Sequence, residues 1–252
     1  MPRNRKNLTE NVMNLIIDIG NTRAKIAVFG TDEEPVELIY TDHKLTDLSN
    51  LAKRHACQRG IISTTAGLTQ EAEQKINALH IPMLRLTGDT PTPIHLHYHT
   101  PKTLGTDRLA AVVGAWSTSP GKDVLVIDCG TCVTYDILDG EGNYWGGNIS
   151  PGLGMRLRAL HQQTARLPLV CEEGEIPEIG YDTETAIRSG VIQGLKREIE
   201  GYILHFQGKY PQLSVFLTGG DAQKLGISKE SCIFAAEFLV LRGLNTILDY
   251  NK

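Results

Sequence analysis

The chain has 252 residues, 41% of them hydrophobic, with 25 glycines and 25 Lys+Arg against 29 Asp+Glu, a net charge of −4. At roughly 150 residues per domain this is about two lobes with ample apolar material for a core, which excludes a disordered chain. The mild acidity and the 6% aromatic content exclude a bulk basic nucleic-acid binder and leave few platforms for stacking single strands.

Five cysteines are scattered along the chain (Cys57, Cys129, Cys132, Cys171, Cys232), which points to a reducing compartment rather than a disulfide framework. Cys129 and Cys132 have CxxC spacing, which admits a redox or zinc reading, but no second CxxC exists to complete a structural zinc site. No stretch approaches the ~20 apolar residues of a membrane span, so the expectation is a cytoplasmic protein with neither membrane nor nucleic acid as partner. Residues 1–13 are polar with no apolar run behind their basic residues. They read as a disordered leader or, given Met13, a misplaced start.

In chain order, 15–20 is an apolar strand broken by Asp18 and closed by Gly20, and 24–29 is its return strand, a β-hairpin with a tight turn. A strand over 59–63, a helix over 69–79 and a short strand over 81–86 follow. Residues 106–116 suit a buried helix. The opening grammar then recurs: 124–129 is an apolar strand carrying Asp128, Gly130-Thr131 make the turn, and 133–138 return. Helices are predicted over 153–167 and 183–206, the latter with Gly190 and Gly194 available for close packing. A strand over 214–218 ends in Gly219-Gly220, and 235–249 is the last helix. Hairpins followed by alternating helices and strands, twice over, predict an α/β fold of two duplicated lobes. The N-terminal lobe is expected over 14–118 and the C-terminal lobe over 119–252, divided near the turn-rich 117–121.

Asp-x-Gly-x-Thr at a strand–turn–strand junction suits phosphate: glycine admits close approach, and turn N–H groups with a Thr hydroxyl donate to phosphate oxygens. The aspartate can hold a cation. One such loop is also an ordinary hairpin turn. Two of them, with Thr218-Gly219-Gly220-Asp221 later, predict a nucleotide site in an interlobe cleft. Neither Gly-x4-Gly-Lys-Ser/Thr nor Gly-x-Gly-x-x-Gly after a strand occurs, which excludes a P-loop and argues against a Rossmann site. This combination resembles the acetate and sugar kinase, heat-shock ATPase and actin superfamily, whose actin-like (ribonuclease H-like) lobes clamp ATP with such hairpins.

Within that superfamily, Asp18-Ile19-Gly20-Asn21-Thr22, then residues 100–108 ending in Gly105-Thr106-Asp107-Arg108, then Asp128-Cys129-Gly130-Thr131 and the Gly-rich 146–155 occur in order. The chain over about 15–250 thereby resembles type III pantothenate kinase. The resemblance implies transfer of the ATP γ-phosphate to the 4′-hydroxyl of pantothenate, the first step toward coenzyme A. It implies ATP-binding positions at Asp18, Ile19, Gly20, Asn21, Thr22, Arg23, Ala24, Lys25 and Thr131. Substrate-binding positions would be Tyr98, Gly105, Thr106, Asp107, Arg108 and Thr183, with Asp107 as catalytic base. Asp128 would hold a monovalent cation, K⁺ or NH₄⁺, with Mg²⁺ accompanying ATP. The family's members are homodimers with the site near the subunit interface.

The residues agree with such chemistry on their own terms. Phosphoryl transfer to an alcohol needs a positioned hydroxyl, a carboxylate to take its proton, and cations against phosphate charge. An Arg108 guanidinium beside Asp107 would keep that carboxylate ionised or grip a substrate carboxylate, and the same dipeptide is also an ordinary surface pair at a helix N-terminus. Lys25 is either a phosphate contact or a solvated strand residue. His95, His97 and His99 alternate as on one strand face, either as metal ligands or along an exposed edge. A non-catalytic nucleotide-binding regulator and a kinase for another hydroxylated acid or sugar are the rival readings.

Overall fold

The computed structural model describes residues 12–227, 233–234 and 238–252. Most of the leader read at the amino terminus, and 235–237 of the last expected helix, lie outside the described residues. The chain forms two compact units, residues 1–86 and 87–252.

The first unit carries a five-stranded sheet of order β3-β2-β1-β4-β5. Strand β1 (Asn14–Ile19) is buried throughout, and antiparallel pairing with β2 (Ala24–Phe29) sets Asp18 opposite Lys25. Strand β3 (Glu37–Thr41) continues the antiparallel side, while β4 (Arg59–Thr64) and β5 (Met83–Arg85) run parallel. Alternate residues Leu15, Ile17, Ile19, Ala24, Ile26 and Val28 form one core with α1 (Leu48–Arg54) and α2 (Gln70–Asn77). Helix α2 starts where its sequence says it should, because the Thr69 hydroxyl accepts from the Ala72 N–H at 3.1 Å. Neither β3 nor α1 was legible: β3 is half-buried at an edge, and α1 is only seven residues long.

The second unit repeats the plan. Strands β7 (Val124–Cys129), β8 (Cys132–Leu138) and β9 (Asn143–Pro151) are antiparallel neighbours, and β10 (Ser214–Thr218) and β11 (Ile233–Phe234) run parallel on the other side. The order β11-β10-β7-β8-β9 mirrors the first sheet strand for strand, with β6 (His95–Leu96) added at the edge beside β9. Equivalence extends to register: Asp18 pairs with Ser63, and Asp128 with Thr218. The two hairpin turns differ by one residue, since Ile19 pairs with Ala24 but Cys129 with Val133. The duplicated α/β architecture expected from the repeat is therefore present.

One sheet face, with Leu125, Ile127, Cys129, Val133, Tyr135 and Ile137, packs under α4 (Leu153–Gln162) and α5 (Thr183–Lys209). The other is covered by α3 (Thr106–Thr118) and α6 (Leu239–Tyr250). The division at Leu86–Thr87 falls well before the expected 118. The reason is packing: α3 buries Leu109, Ala110, Val112 and Val113 against α6, β7 and β8, so the helix assigned to the first lobe belongs with the second. Helix α4 stops at Gln162 rather than 167, where the Thr164 hydroxyl turns back to Leu160 O and His161 Nδ1 to Leu167 O. No atom lies within 4 Å of a Cβ built on Gly190 or Gly194, so these glycines do not serve close packing; Gly114 and Gly243 do, each facing backbone of the other helix.

Candidate active site

The first Asp-x-Gly hairpin ends β1. Asp18 is buried, while Ile19 and Ala24 point into the core, so any share these two have in binding is through backbone. Asn21, Thr22 and Arg23 are exposed at the turn, and Lys25 is half-buried on β2. The Gly20 N–H donates to Arg23 O at 3.2 Å, and His43 Nε2 donates to Gly20 O at 2.8 Å, which fixes the turn from outside. The Arg23 guanidinium lies 4.4 Å over the Tyr40 ring.

The second hairpin has the same form. Gly130 N–H donates to Cys132 O at 2.9 Å, and Thr131 is exposed at the tip. Cys129 faces the core and Cys132 the half-buried side, so the pair does not present one thiol face. Asp128 projects from the C-terminal end of β7, where Gly219 (φ +95°) turns the chain leaving β10. A Cβ on Gly219 would lie 2.5 Å from Asp128 Oδ1 and collide with the Cys129 backbone. Glycine thus lets the turn pack directly against this carboxylate and main chain. Hard oxygen donors of this kind suit a monovalent cation, which needs fewer charged ligands than a divalent one. Among the described residues no group of three His, Cys, Asp or Glu could hold a metal.

The Gly-Thr-Asp-Arg run opens α3, with Gly105 as its N-cap and Asp107 in the first turn. Asp107 Oδ1 accepts from the Arg108 backbone N–H at 2.8 Å. Arg108 does not ionise Asp107 in the expected way. Its guanidinium turns to a buried aspartate on β8: Nε donates to both carboxylate oxygens of Asp136 at 3.1 Å, and Nη2 to Oδ1 at 2.6 Å. The Tyr144 hydroxyl on β9 donates to the same oxygen at 2.7 Å. Burial raises the Asp107 carboxyl above its ordinary value, and the Asp136 charge adds to this, outweighing its backbone hydrogen bonds and the Arg108 charge. Burial disfavours the Arg108 cation, but its hydrogen bonds and attraction to Asp136 more than offset this and hold it charged.

Tyr98 joins the cluster, its ring 5.8 Å from the guanidinium and stacked at 6.2 Å on Tyr144. The structure therefore brings Tyr98, Asp107 and Arg108 together within the second unit. Thr106 is half-buried as the first residue of α3. Thr183 is exposed as the first residue of α5, whose start is fixed by a capping box between Asp182 and Thr185.

Asp136 and Tyr144 were missed. The signal was present: an aspartate at the centre of an apolar strand, in alternation with Thr134 and Leu138, is buried and must find a cation. Register places Asp136 beside Val126 on the face that α3 covers. The three alternating histidines do not share a strand, because β6 ends at Leu96; His97 stacks on Trp145 at 4.3 Å and reaches Asn143 Oδ1 at 3.1 Å.

Comparison with known proteins agrees with this architecture. A model of the type III pantothenate kinase family matches residues 14–205. A type III pantothenate kinase from Bacteroides fragilis (strain ATCC 25285) is 52% identical over 241 residues, covering 95% of this chain and 99% of the relative. Among solved structures, a putative Baf family transcriptional activator from Campylobacter jejuni superposes with a TM-score of 0.60 at 20% identity, over 94% of this chain and 98% of that one. A putative N-acetylmannosamine kinase from Listeria monocytogenes gives 0.54 at 13% identity, over 96% and 100%, a likeness of fold. With three quarters of its length matched by the family and half its residues shared with a full-length relative, this chain belongs to the type III pantothenate kinase family.

Proposed function

We propose that the protein transfers the γ-phosphate of ATP to the 4′-hydroxyl of pantothenate, with the Asp107 carboxylate as the base. The observation that carries this reading is the placement of Asp107 at the start of α3, desolvated and held by the Arg108 N–H, in a chain of this family that keeps both Asp-x-Gly hairpins. A base works best when its pKa approaches the operating pH, and burial moves Asp107 in that direction.

In the reaction the hydroxyl proton passes to Asp107 and the oxygen forms a bond to the γ-phosphorus. The bond from that phosphorus to the β-phosphate bridging oxygen breaks, and ADP leaves. The turn backbone around Asn21 and Thr131, with the hydroxyls of Thr22 and Thr131, holds phosphate oxygens of ATP, which arrives as its Mg²⁺ complex, while the Gly20 N–H is engaged by Arg23 O. Tyr98, Arg108 and Thr183 orient pantothenate. Asp128 holds K⁺ or NH₄⁺, which when bound adds positive charge against the phosphates.

The reading includes a homodimer with the site near the subunit interface. It also places the enzyme in the cytoplasm, in keeping with the absence of a disulfide among the four described cysteines. No described helix is long and apolar enough to cross a membrane. The test is ADP release by purified protein with ATP, KCl and pantothenate, against a panel of hydroxylated acids and sugars. Pantothenate-dependent release supports the proposal; nucleotide binding without turnover of any acceptor contradicts it.

A further inference from the structure

We propose that Asp136, capped by Tyr144, is a positioning residue that acts through Arg108 on both the acceptor substrate and the Asp107 base; this rests on the kinase reading above. The geometry is specific. Asp136 engages the Nε–Nη2 edge of the guanidinium side-on, so both Nη1 N–H groups stand outside the pair. The Tyr144 hydroxyl adds a donor to Oδ1 and locks the carboxylate rotamer from β9. Arg108 is thus held to one orientation, and Tyr98 also hydrogen-bonds its guanidinium, so an acceptor meets the two in a fixed relation. The same residue supplies the backbone N–H that fixes Asp107 Oδ1.

Stability alone is a poor account of this cluster. A buried Arg–Asp pair is commonly no better for stability than apolar groups of similar volume. Arg108 is 6% and Asp136 1% exposed, so the desolvation cost falls on both charges. What the pair does provide is a guanidinium that cannot swing, beside Tyr98 and next to the base in sequence. The face of β8 opposite this one bears a separate polar group, in which Tyr135 donates to Glu198 and Arg156 pairs with the same carboxylate.

The experiment compares Asp136→Asn and Tyr144→Phe with the wild type in the full chain, using whichever hydroxylated acceptor the wild type phosphorylates. Rates are normalised to folded enzyme. For Asp136→Asn the expected result is a KM for the acceptor raised tenfold or more, with the KM for ATP within twofold. The acid limb of kcat/KM moves to lower pH, because Asp107 loses a negative neighbour and gains an unpaired guanidinium. Tyr144→Phe keeps the ion pair and should raise the acceptor KM severalfold without moving the pH limb. It decides the matter alone should Asp136→Asn fail to fold. Acceptor KM within twofold of wild type in the folded variants, with only thermal stability reduced, overturns the proposal. A wild-type enzyme that ignores pantothenate but phosphorylates another acid overturns the substrate reading, while these comparisons on that acid still decide the role of Asp136.

Discussion

Gly219 and Asp128 occupy each other's space: a side chain on the glycine would meet the aspartate Oδ1 at 2.5 Å, and the glycine's φ of +95° is one that L side chains rarely adopt. The turn after β10 and the end of β7 are thereby fitted closely together, and a side chain at 219 would displace the carboxylate. Gly219→Ala should cost about 1–3 kcal/mol through backbone strain. It should also raise the KCl concentration for half-maximal rate more than tenfold. Initial rates across a KCl series, with NaCl holding ionic strength, check this; an unchanged K⁺ response would remove Asp128 as the cation site.

Asp107 links activity to stability with opposite signs. Its folded-state pKa is raised, chiefly by burial, so folding favours the protonated form. The stability associated with that form is complete below the unfolded pKa and is lost as pH rises through the folded one. At neutral pH the ionised carboxylate is therefore a cost. Asp107→Asn should lower kcat by roughly 10²–10⁴-fold. It should also raise Tm at neutral pH, and the gain should vanish on acidification. For the wild type, the acid limb of kcat/KM should lie above the ordinary aspartate value. Thermal melts and pH–rate profiles of the two proteins decide both points.

Helices α3 and α6 cross with Gly114 and Gly243 at the contact, where a Cβ on Gly243 would enter the Ala110 carbonyl. This crossing sets the position of α3, and so of Asp107 at its start. Gly243→Ala should destabilise by about 1–3 kcal/mol or more by overpacking. It should lower kcat well beyond the loss of folded protein, although residue 243 is on α6 and Asp107 in the first turn of α3. Denaturant unfolding with activity per folded molecule measures both effects.

Lys25 pairs across the hairpin with Asp18 and is half-buried. A phosphate contact predicts that Lys25→Ala raises the KM for ATP about tenfold and leaves that for pantothenate unchanged. A solvated strand lysine predicts neither change. Steady-state kinetics with each substrate varied separates the two.

Much of the fold was legible because the strands of both hairpins are apolar runs closed by Gly turns, and repetition carried the duplication. What escaped was governed by tertiary packing. The boundary was misplaced because the turn-rich segment after α3 looks like a linker, while what assigns the helix is its contact with α6, far away in sequence. Strand β9 was hidden because its run of Gly146 and Gly147, with Asn148, lacks the usual strand composition. At the site, Asp107 and Arg108 were found from their motif, but the direction of the guanidinium was not. Adjacency in sequence suggested an Asp107 pair, whereas the sheet offered Asp136, buried and better aligned for two hydrogen bonds.

The central claim is tested most directly by incubating purified protein with ATP, Mg²⁺ and pantothenate in KCl and following ADP with identification of the product. The account predicts ADP release that requires pantothenate, matched one for one by phosphorylated pantothenate, and lost in Asp107→Asn. ADP release without pantothenate, or none in wild-type protein that still binds nucleotide, would contradict it.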